Sequence, residues 1–223
     1  MLLALVDFVE LLSNLILFLR SDIGNRPTRA SIEKFSNAFG DDYLAFWANG
    51  TYNIVLNTGL FSNPSGAEEM YKDQLHWLEE RLKYAQAKEA VNIFVFGHHP
   101  WFLYNEEEQE EDLKALSPYP VEWGPREGGF PDSYFVVPKH YRKKVMDMFE
   151  DYKVSAAFSG HFHQNLVSKA SFGMDMIITS SLSMVFESTG KPKDYGELNT
   201  RGFRVVKVAD GGNFSHRFID LQG

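Results

Sequence analysis

Two stretches of similar pattern decide the fold of this chain: residues 91–100 read VNIFVFGHHP, and residues 154–163 read VSAAFSGHFH. Each begins as a short apolar run typical of a buried β-strand and ends in glycine followed by histidine. A helical pattern over 136–152 lies between them, so the segment is predicted to form a β-α-β unit within one sheet. Because ligands bind beyond the carboxyl ends of such strands, we expect both histidine motifs at the same sheet edge.

The imidazoles of these two motifs suit a metal site. Neutral histidine is the commonest protein ligand for borderline transition metals. His161 and His163 are two positions apart, so on an extended loop their side chains would project to the same side. The chain has no cysteine, which restricts a metal site to imidazole, carboxylate, amide and water and excludes a zinc finger.

The composition is that of one globular domain with an acidic surface. The chain has 223 residues, of which 44% are hydrophobic, enough for one sizeable core. Its formal charge of −8 argues against nucleic acid as a partner, because nucleic-acid binders display a basic face. An anionic substrate stays compatible with this charge, since bound divalent cations would add positive charge locally.

The first nineteen residues, MLLALVDFVELLSNLILFL, are apolar except for Asp7, Glu10, Ser13 and Asn14. The pattern predicts a helix that is apolar nearly all round. A signal peptide would have a basic start and a small-residue cleavage site, and a membrane span rarely carries two carboxylates. We therefore favour a helix of residues 1–20 packed on protein and a cytoplasmic location. Membrane contact through this segment is the alternative.

The remaining pattern alternates helices and strands. Asn49-Gly50 predicts a tight hairpin turn, because both turn positions require positive φ, and Gly211-Gly212 predicts a second one. The predicted helices cover 30–39, 69–86 and 136–152, and the predicted strands cover 43–48, 52–56, 91–96, 154–158, 166–170, 174–179, 203–208 and 214–221. This order predicts an α/β fold that ends in mostly antiparallel sheet.

One long irregular stretch runs from Tyr104 to Tyr134, next to the first histidine motif. Its acidic run, residues 106–112, is expected to form a solvated loop, which is the usual state of a charge cluster. The alternatives are that it guards a pocket entrance or recognises a basic segment of a phosphoprotein.

Several motifs in combination carry a family resemblance. They are GHHP at 97–100, GHFH at 160–163, QLHWL at 74–78, DIGN at 22–25 and GDDY at 40–43. Together they resemble the calcineurin-like metallophosphoesterases, and most closely the calcineurin-like phosphoesterase domain-containing subgroup. The resemblance implies a two-sheet sandwich flanked by helices (αββα) over residues 21–223, incomplete at its N-terminus. It also implies hydrolysis of phosphate esters with two divalent metal ions.

Carried over residue by residue, the resemblance makes His98 and His161 ligands of one metal and His163 a ligand of the other. Imidazole ligands favour Mn, Fe or Zn over magnesium. His99 would contact a substrate phosphate, support another ligand, or make only a structural hydrogen bond beside Pro100. The three other histidines lie on elements without convergent partners and are expected to be structural: His76, His140 and His216.

The chain departs from the family pattern in its first part. The motifs D-x-H, G-D-x-x-D and G-N-H-D/E are not matched, and Leu19, Arg20 and Ser21 stand where Gly, Asn and His of the last are expected. Two cations without a bridging carboxylate would repel each other, so we expect one metal ion or none in this chain. Two functions therefore stay open: a phosphoesterase acting on phosphate monoesters or phosphoproteins, and a non-catalytic scaffold that binds a partner and at most one weak metal.

Overall fold

The computed structural model describes residues 26–114, 116–117, 130–183, 185, 200–209 and 211–221. The apolar segment 1–20 lies outside the described residues, so its helix and its separation from a domain over 21–223 stay predictions. In the part of the chain that is described, no helix has both the length and the apolar character needed to cross a membrane.

A six-stranded mixed sheet forms the centre of the fold. The strands of the described chain are β1 Leu44–Ala48, β2 Thr51–Val55, β3 Asn92–Phe96, β4 Leu116–Ser117, β5 Phe130–Pro131, β6 Ala156–Ser159, β7 Leu166–Lys169, β8 Asp175–Ile178, β9 Gly202–Val208 and β10 Phe214–Asp220. The order in the central sheet is β1-β2-β3-β6-β8-β7. Its four inner strands run parallel, and the edge strands β1 and β7 run antiparallel to their neighbours.

Helices cover one face of this sheet. Ile54 of β2 packs there with Leu78 and Phe149, and all three side chains are fully buried. Such apolar burial is the main stabilising contribution of a sheet–helix interface. The helices are α1 Arg29–Phe39, α2 Gly59–Ser62, α3 Glu68–Ala87 and α4 Lys139–Asp151.

The hairpin β9-β10 covers the opposite face and forms a second sheet. The ring of Phe94 on β3 lies 5.4 Å from Phe158 and 5.0 Å from Phe214, measured between centroids. Val206 is buried in the same cluster. The mixed α/β architecture with two packed sheets, predicted from the motifs, is confirmed.

The Asn49-Gly50 turn is confirmed as the connection between β1 and β2. The two residues have φ of 48° and 77°, the left-handed region that this turn requires. The register follows from it, with Ala48 opposite Thr51 and Leu44 opposite Val55. This register brings the residues before β1 to the carboxyl end of β2.

The helix predicted over 136–152 is shorter in the structure. It begins at Lys139, because Pro138 occupies the N-cap in an extended conformation instead of the first helical turn. A 3₁₀ turn, Asp132–Phe135, precedes it. Val136 and Val137 between them are buried, so the chain stays extended there to place both side chains in the core.

The sequence predicts a solvated loop for the acidic run at 106–112, but the side chain of Glu108 in this run is buried. Its carboxylate accepts hydrogen bonds from the backbone N–H groups of Leu103 at 2.8 Å and Tyr104 at 2.9 Å. Burial raises the pKa of the Glu108 carboxyl, and these backbone N–H groups oppose that rise. These hydrogen bonds stabilise the conformation of the loop that carries Glu108.

Arg142 on α4 fixes the same loop from the other side. Its guanidinium donates to the carbonyl oxygens of Val137 at 3.1 Å and Glu106 at 3.2 Å, and also to that of Glu108. Burial lowers the pKa of Arg142, and the neighbouring carboxylate of Glu108 opposes this effect. The segment that follows the GHHP motif is therefore anchored to α4 through buried polar groups.

Candidate metal centre

The carboxyl ends of β2, β3, β6 and β8 meet at one edge of the central sheet. The backbone pairing continues past the strands into both histidine motifs: Gly97 N–H donates to Phe158 O at 3.0 Å, and Gly160 N–H donates to His98 O at 3.2 Å. The two motifs are thus held side by side by backbone hydrogen bonds. This is the placement that the β-α-β pattern predicted.

Three histidines form a compact buried group at this edge. His98, His99 and His161 each offer a ring nitrogen, and these nitrogens all lie within 4.8 Å of one another. The ring centroids are 4.5 Å apart for His98 and His161, and 4.6 Å for His99 and His161. Their exposed fractions are 3%, 3% and 8%, respectively. Burying three adjacent charged rings would be costly, so this geometry favours neutral imidazoles.

The loop after β6 is not extended as expected. His161 and His163 have φ of 61° and 55°, in the left-handed region that non-glycine residues rarely adopt. The tight path, with Phe162 N–H donating to Gly160 O at 2.6 Å, turns the chain back at the sheet edge. Such backbone strain is typical of functional sites. His163 is outside the buried group of three, and its role as a ligand of a second metal stays a prediction.

Thr58, just beyond β2, is a site residue that sequence reasoning missed. Its hydroxyl Oγ1 accepts a hydrogen bond from the backbone N–H of His99 at 2.9 Å and lies 3.1 Å from Nδ1 of the same residue. It is 1% exposed. A signal was available, because Thr58 follows β2 at the same carboxyl edge to which the histidine motifs were assigned.

Gly97 makes this contact with Thr58 possible. A Cβ atom at position 97 would lie 2.3 Å from Cγ2 of Thr58, whereas one at Gly160 would find its nearest neighbour at 3.9 Å. Thr58 is buried and bonded to His99, so it cannot move aside without losing that contact. Gly97→Ala is therefore expected to lower the free energy of unfolding by about 1–3 kcal/mol.

Gly160→Ala is the matched control, because it changes the equivalent glycine of the second motif. We expect it to change the stability by no more than about 0.5 kcal/mol. Urea unfolding of both variants measures the difference. Equal losses in the two variants would contradict the close approach of Gly97 and Thr58.

Asn57 and Gln74 brace the loop that carries Thr58. The backbone N–H of Asn57 donates to Oε1 of Gln74 at 2.8 Å, and Nε2 of Gln74 donates to the Asn57 carbonyl at 3.1 Å. The side chain of Asn57 in turn donates to Oδ2 of Asp42 at 2.7 Å. The QLHWL motif on α3 thus acts through its first residue, a fully buried amide that holds the chain at the end of β2.

Asp42 gives this brace a dependence on pH. Burial raises the pKa of its carboxyl, and the hydrogen bond from Asn57 opposes the rise. A carboxyl with a raised folded pKa binds protons more tightly when folded, so its contribution to stability falls as pH rises from the unfolded pKa, about 4, through the folded value. Asp42→Asn keeps an oxygen acceptor for Asn57 and removes the charge. We therefore expect this variant to lose less stability than the wild type over that pH window. Urea unfolding at several pH values measures the difference. A steeper loss in the variant would contradict the raised pKa of Asp42.

Aromatic rings enclose His161. Its ring centroid is 5.4 Å from those of Tyr134 and Phe135. Phe135 also packs edge-on against Phe162, at 5.3 Å, and both are buried. This wall fixes the orientation of the His161 ring and limits the access of water to it.

The donor set fits a divalent transition metal. Imidazole nitrogens gathered in a dry pocket suit Mn, Fe or Zn, and they would be completed by water or other oxygen ligands. In the described residues, the buried group contains nitrogen donors alone and no carboxylate. His98 and His161 follow two neighbouring strands, β3 and β6, so an ion that they shared would join the two histidine motifs.

The remaining candidate residues lie elsewhere. His76 and His140 are exposed on α3 and α4. His216 lies on β10, with Nδ1 at 2.8 Å from Nη1 of the buried Arg204. Asp22 and Asn25, in the DIGN motif, lie outside the described residues.

The chain is similar in sequence to known phosphatases. No model of a known protein family matches it. The human serine/threonine-protein phosphatase CPPED1 is 33% identical over 200 residues, which are 90% of this chain and 53% of that protein. The chain spans about half the length of the curated relatives it matches.

Two solved structures share the fold. GAP50, described as the anchor in the inner membrane complex of Plasmodium, has a TM-score of 0.53 at 18% identity and covers 80% of this chain and 49% of its own. Purple acid phosphatase PPD1 from yellow lupin (Lupinus luteus) has a TM-score of 0.52 at 12% identity and covers 81% of this chain and 30% of its own.

The fold is that of the metallophosphoesterases. Over 90% of its length, the chain is similar in sequence to the calcineurin-like phosphoesterase domain-containing phosphatases.

Proposed function

We propose that this chain carries part of a metal-dependent phosphoester hydrolase and that its site acts at the sheet edge formed by the two histidine motifs. The observation that carries the proposal is the buried group of His98, His99 and His161, whose nitrogens lie within 4.8 Å of one another. Neutral imidazole is the commonest protein ligand for transition metals, and three imidazoles that converge in a buried pocket favour a shared metal ion.

The proposed chemistry is hydrolysis by an activated water. A divalent metal held by His98 and His161 would supply Lewis acidity and lower the pKa of water. The chain's own residues keep the site dry through Phe135 and Phe162 and hold the His99 ring through Thr58. The neutral imidazoles alone could not stabilise the negative charge of a phosphate ester. The metal ion would supply that stabilisation, so the arrangement supports attack of water on the ester.

The proposed substrate is a phosphoserine or phosphothreonine in a protein. This extension rests on the name of the relatives, which are serine/threonine-protein phosphatases, and on their match to 90% of this chain. The proposed metals are Mn, Fe or Zn, because the donors in the group are imidazoles. His163 is proposed as a ligand of the second ion of the complete family site, whereas this chain is proposed to hold one ion, because two cations without a bridging carboxylate would repel each other.

The test is metal-dependent turnover by the purified chain. We expect it to release phosphate from a phosphoserine peptide and from p-nitrophenyl phosphate with Mn²⁺, to stop after treatment with a chelator, and to recover when Mn²⁺ returns. A chain that retains no metal and releases no phosphate would contradict the proposal. Metal binding without turnover would instead support the non-catalytic scaffold.

A further inference from the structure

A groove lies between the start of β1 and the helix α3. Its volume is about 560 Å³, which is within the range of protein pockets that hold ligands. Asp73, Trp77 and Arg81 line it from α3, at a spacing that places them on one side of the helix. Tyr43, just before β1, lines it from the facing side. None of the described lining residues is a histidine, so the groove is separate from the candidate metal centre.

Aromatic rings form one wall of this groove. The ring centroids of Tyr43 and Trp77 are 4.8 Å apart. Both residues are half-buried, and Trp77 also packs against the main hydrophobic core, which holds its ring in place. The face of an aromatic ring attracts cations, and the guanidinium of arginine is the cation most often found there.

Carboxylates line the groove beside these rings. Asp41 and Asp73 are exposed, and neither forms an ion pair with any residue that the structure describes. Burial raises the pKa of the Tyr43 hydroxyl, and the charges of Asp42, Asp73 and Asp41 raise it further. The three carboxylates therefore act on the same phenol and make the potential around it negative.

The two arginines of the groove are engaged by other partners. Arg29 forms an ion pair with Glu33 at 3.8 Å. The guanidinium of Arg81 lies over the ring of Tyr84, 5.5 Å from its centroid. The groove thus combines an aromatic wall with carboxylates that are available to a cation from outside the chain.

The strand β1 beside the groove is an edge strand. Among the described strands it pairs with β2 alone, so part of its backbone N–H and C=O groups face away from the sheet. An extended peptide can pair with such an edge and add a strand to the sheet. Leu44 and Ala45 of β1 themselves line the groove, so a strand added here would lie next to it.

We propose that the groove binds an arginine side chain from an extended, basic segment of a partner protein, which adds as a strand to β1. The guanidinium lies against the rings of Tyr43 and Trp77 and pairs with the carboxylates of Asp41 and Asp73. Arginine fits better than lysine, because its planar group both stacks on aromatic rings and pairs with carboxylates through two N–H groups. The proposal does not depend on the proposed hydrolysis.

An NMR titration of the full chain without metal tests this proposal. The probe is a capped pentapeptide of threonine and valine with a central arginine, and the control peptide carries citrulline, which has nearly the same shape but no charge. We expect the arginine peptide to shift the backbone amide signals of β1, Asp73 and Trp77, and to bind about 5- to 10-fold more tightly than the citrulline peptide. Equal affinities for the two peptides would overturn the proposal. So would the absence of these shifts at about 1 mM peptide, including the case in which residues of the chain itself fill the groove.

Asp73→Asn is expected to weaken binding of the arginine peptide about three- to tenfold, because it removes one of the two exposed carboxylates. Asp147→Asn is the matched control. It makes the same change at an exposed carboxylate of α4, which pairs with Lys143 at 3.0 Å and does not line the groove. We expect the wild-type affinity in this control. An unchanged affinity in Asp73→Asn, or equal losses in both variants, would overturn the proposal whether or not the chain releases phosphate.

Discussion

A His161→Ala chain is expected to bind Mn²⁺ at least about 100-fold more weakly than the wild type and to lose detectable phosphate release. His161 is one of the two imidazoles that join the histidine motifs, and its ring lies 4.5 Å from that of His98. Without this ring, the ion keeps the ligand that follows β3 and loses the ligand that follows β6. The ion is therefore bound more weakly. Metal titration calorimetry and a phosphate-release assay measure the two effects.

His76→Ala is the control for this substitution. It also removes an imidazole, but from the exposed surface of α3, where it has no part in the buried group. Wild-type metal affinity and turnover are expected in this variant. Equal losses in His76→Ala and His161→Ala, or metal affinity unchanged in a folded His161→Ala, would contradict the site.

Arg142→Met is expected to cause the largest loss of stability, about 3–5 kcal/mol. The guanidinium is 2% exposed and donates to the carbonyl groups of Val137, Glu106 and Glu108. Methionine fills a similar volume but leaves these carbonyls without a donor and removes the positive charge beside the buried Glu108 carboxylate. Thermal unfolding should therefore begin roughly 10 °C lower than in the wild type.

Lys139→Met is the matched control, because it removes a cation from the same helix. Lys139 pairs at 2.8 Å with Glu107, whose side chain is 75% exposed, and such surface pairs contribute at most about 1 kcal/mol. An equal loss of stability in the two variants would mean that water reaches the carbonyl groups around Arg142. It would contradict the conclusion that Arg142 anchors this loop to α4.

Local patterns were sufficient to predict most elements of the fold. The Asn49-Gly50 turn depends on two adjacent residues that tolerate positive φ, and both adopt it. The parallel arrangement of β3 and β6 followed from the helix between them, and this arrangement placed His98 beside His161. Where an element is specified by its own residues, the sequence alone is informative.

Features that depend on contacts between distant residues were not predictable in the same way. The buried Glu108 accepts a hydrogen bond on its backbone carbonyl from Arg142, which is 34 residues away, and nothing in the acidic run distinguishes this residue from its neighbours. Thr58 contacts His99 across 41 residues. The left-handed backbone of His161 and His163 also has no sequence signal, since histidine adopts it only where the surrounding fold enforces it.

Anomalous diffraction from a crystal grown with Mn²⁺ tests the central claim most directly. We expect an anomalous peak at the edge of the central sheet, at about 2.0–2.3 Å from one ring nitrogen of His98 and one of His161. An ordered crystal in which both rings are clear and no peak lies within bonding distance of either would contradict it.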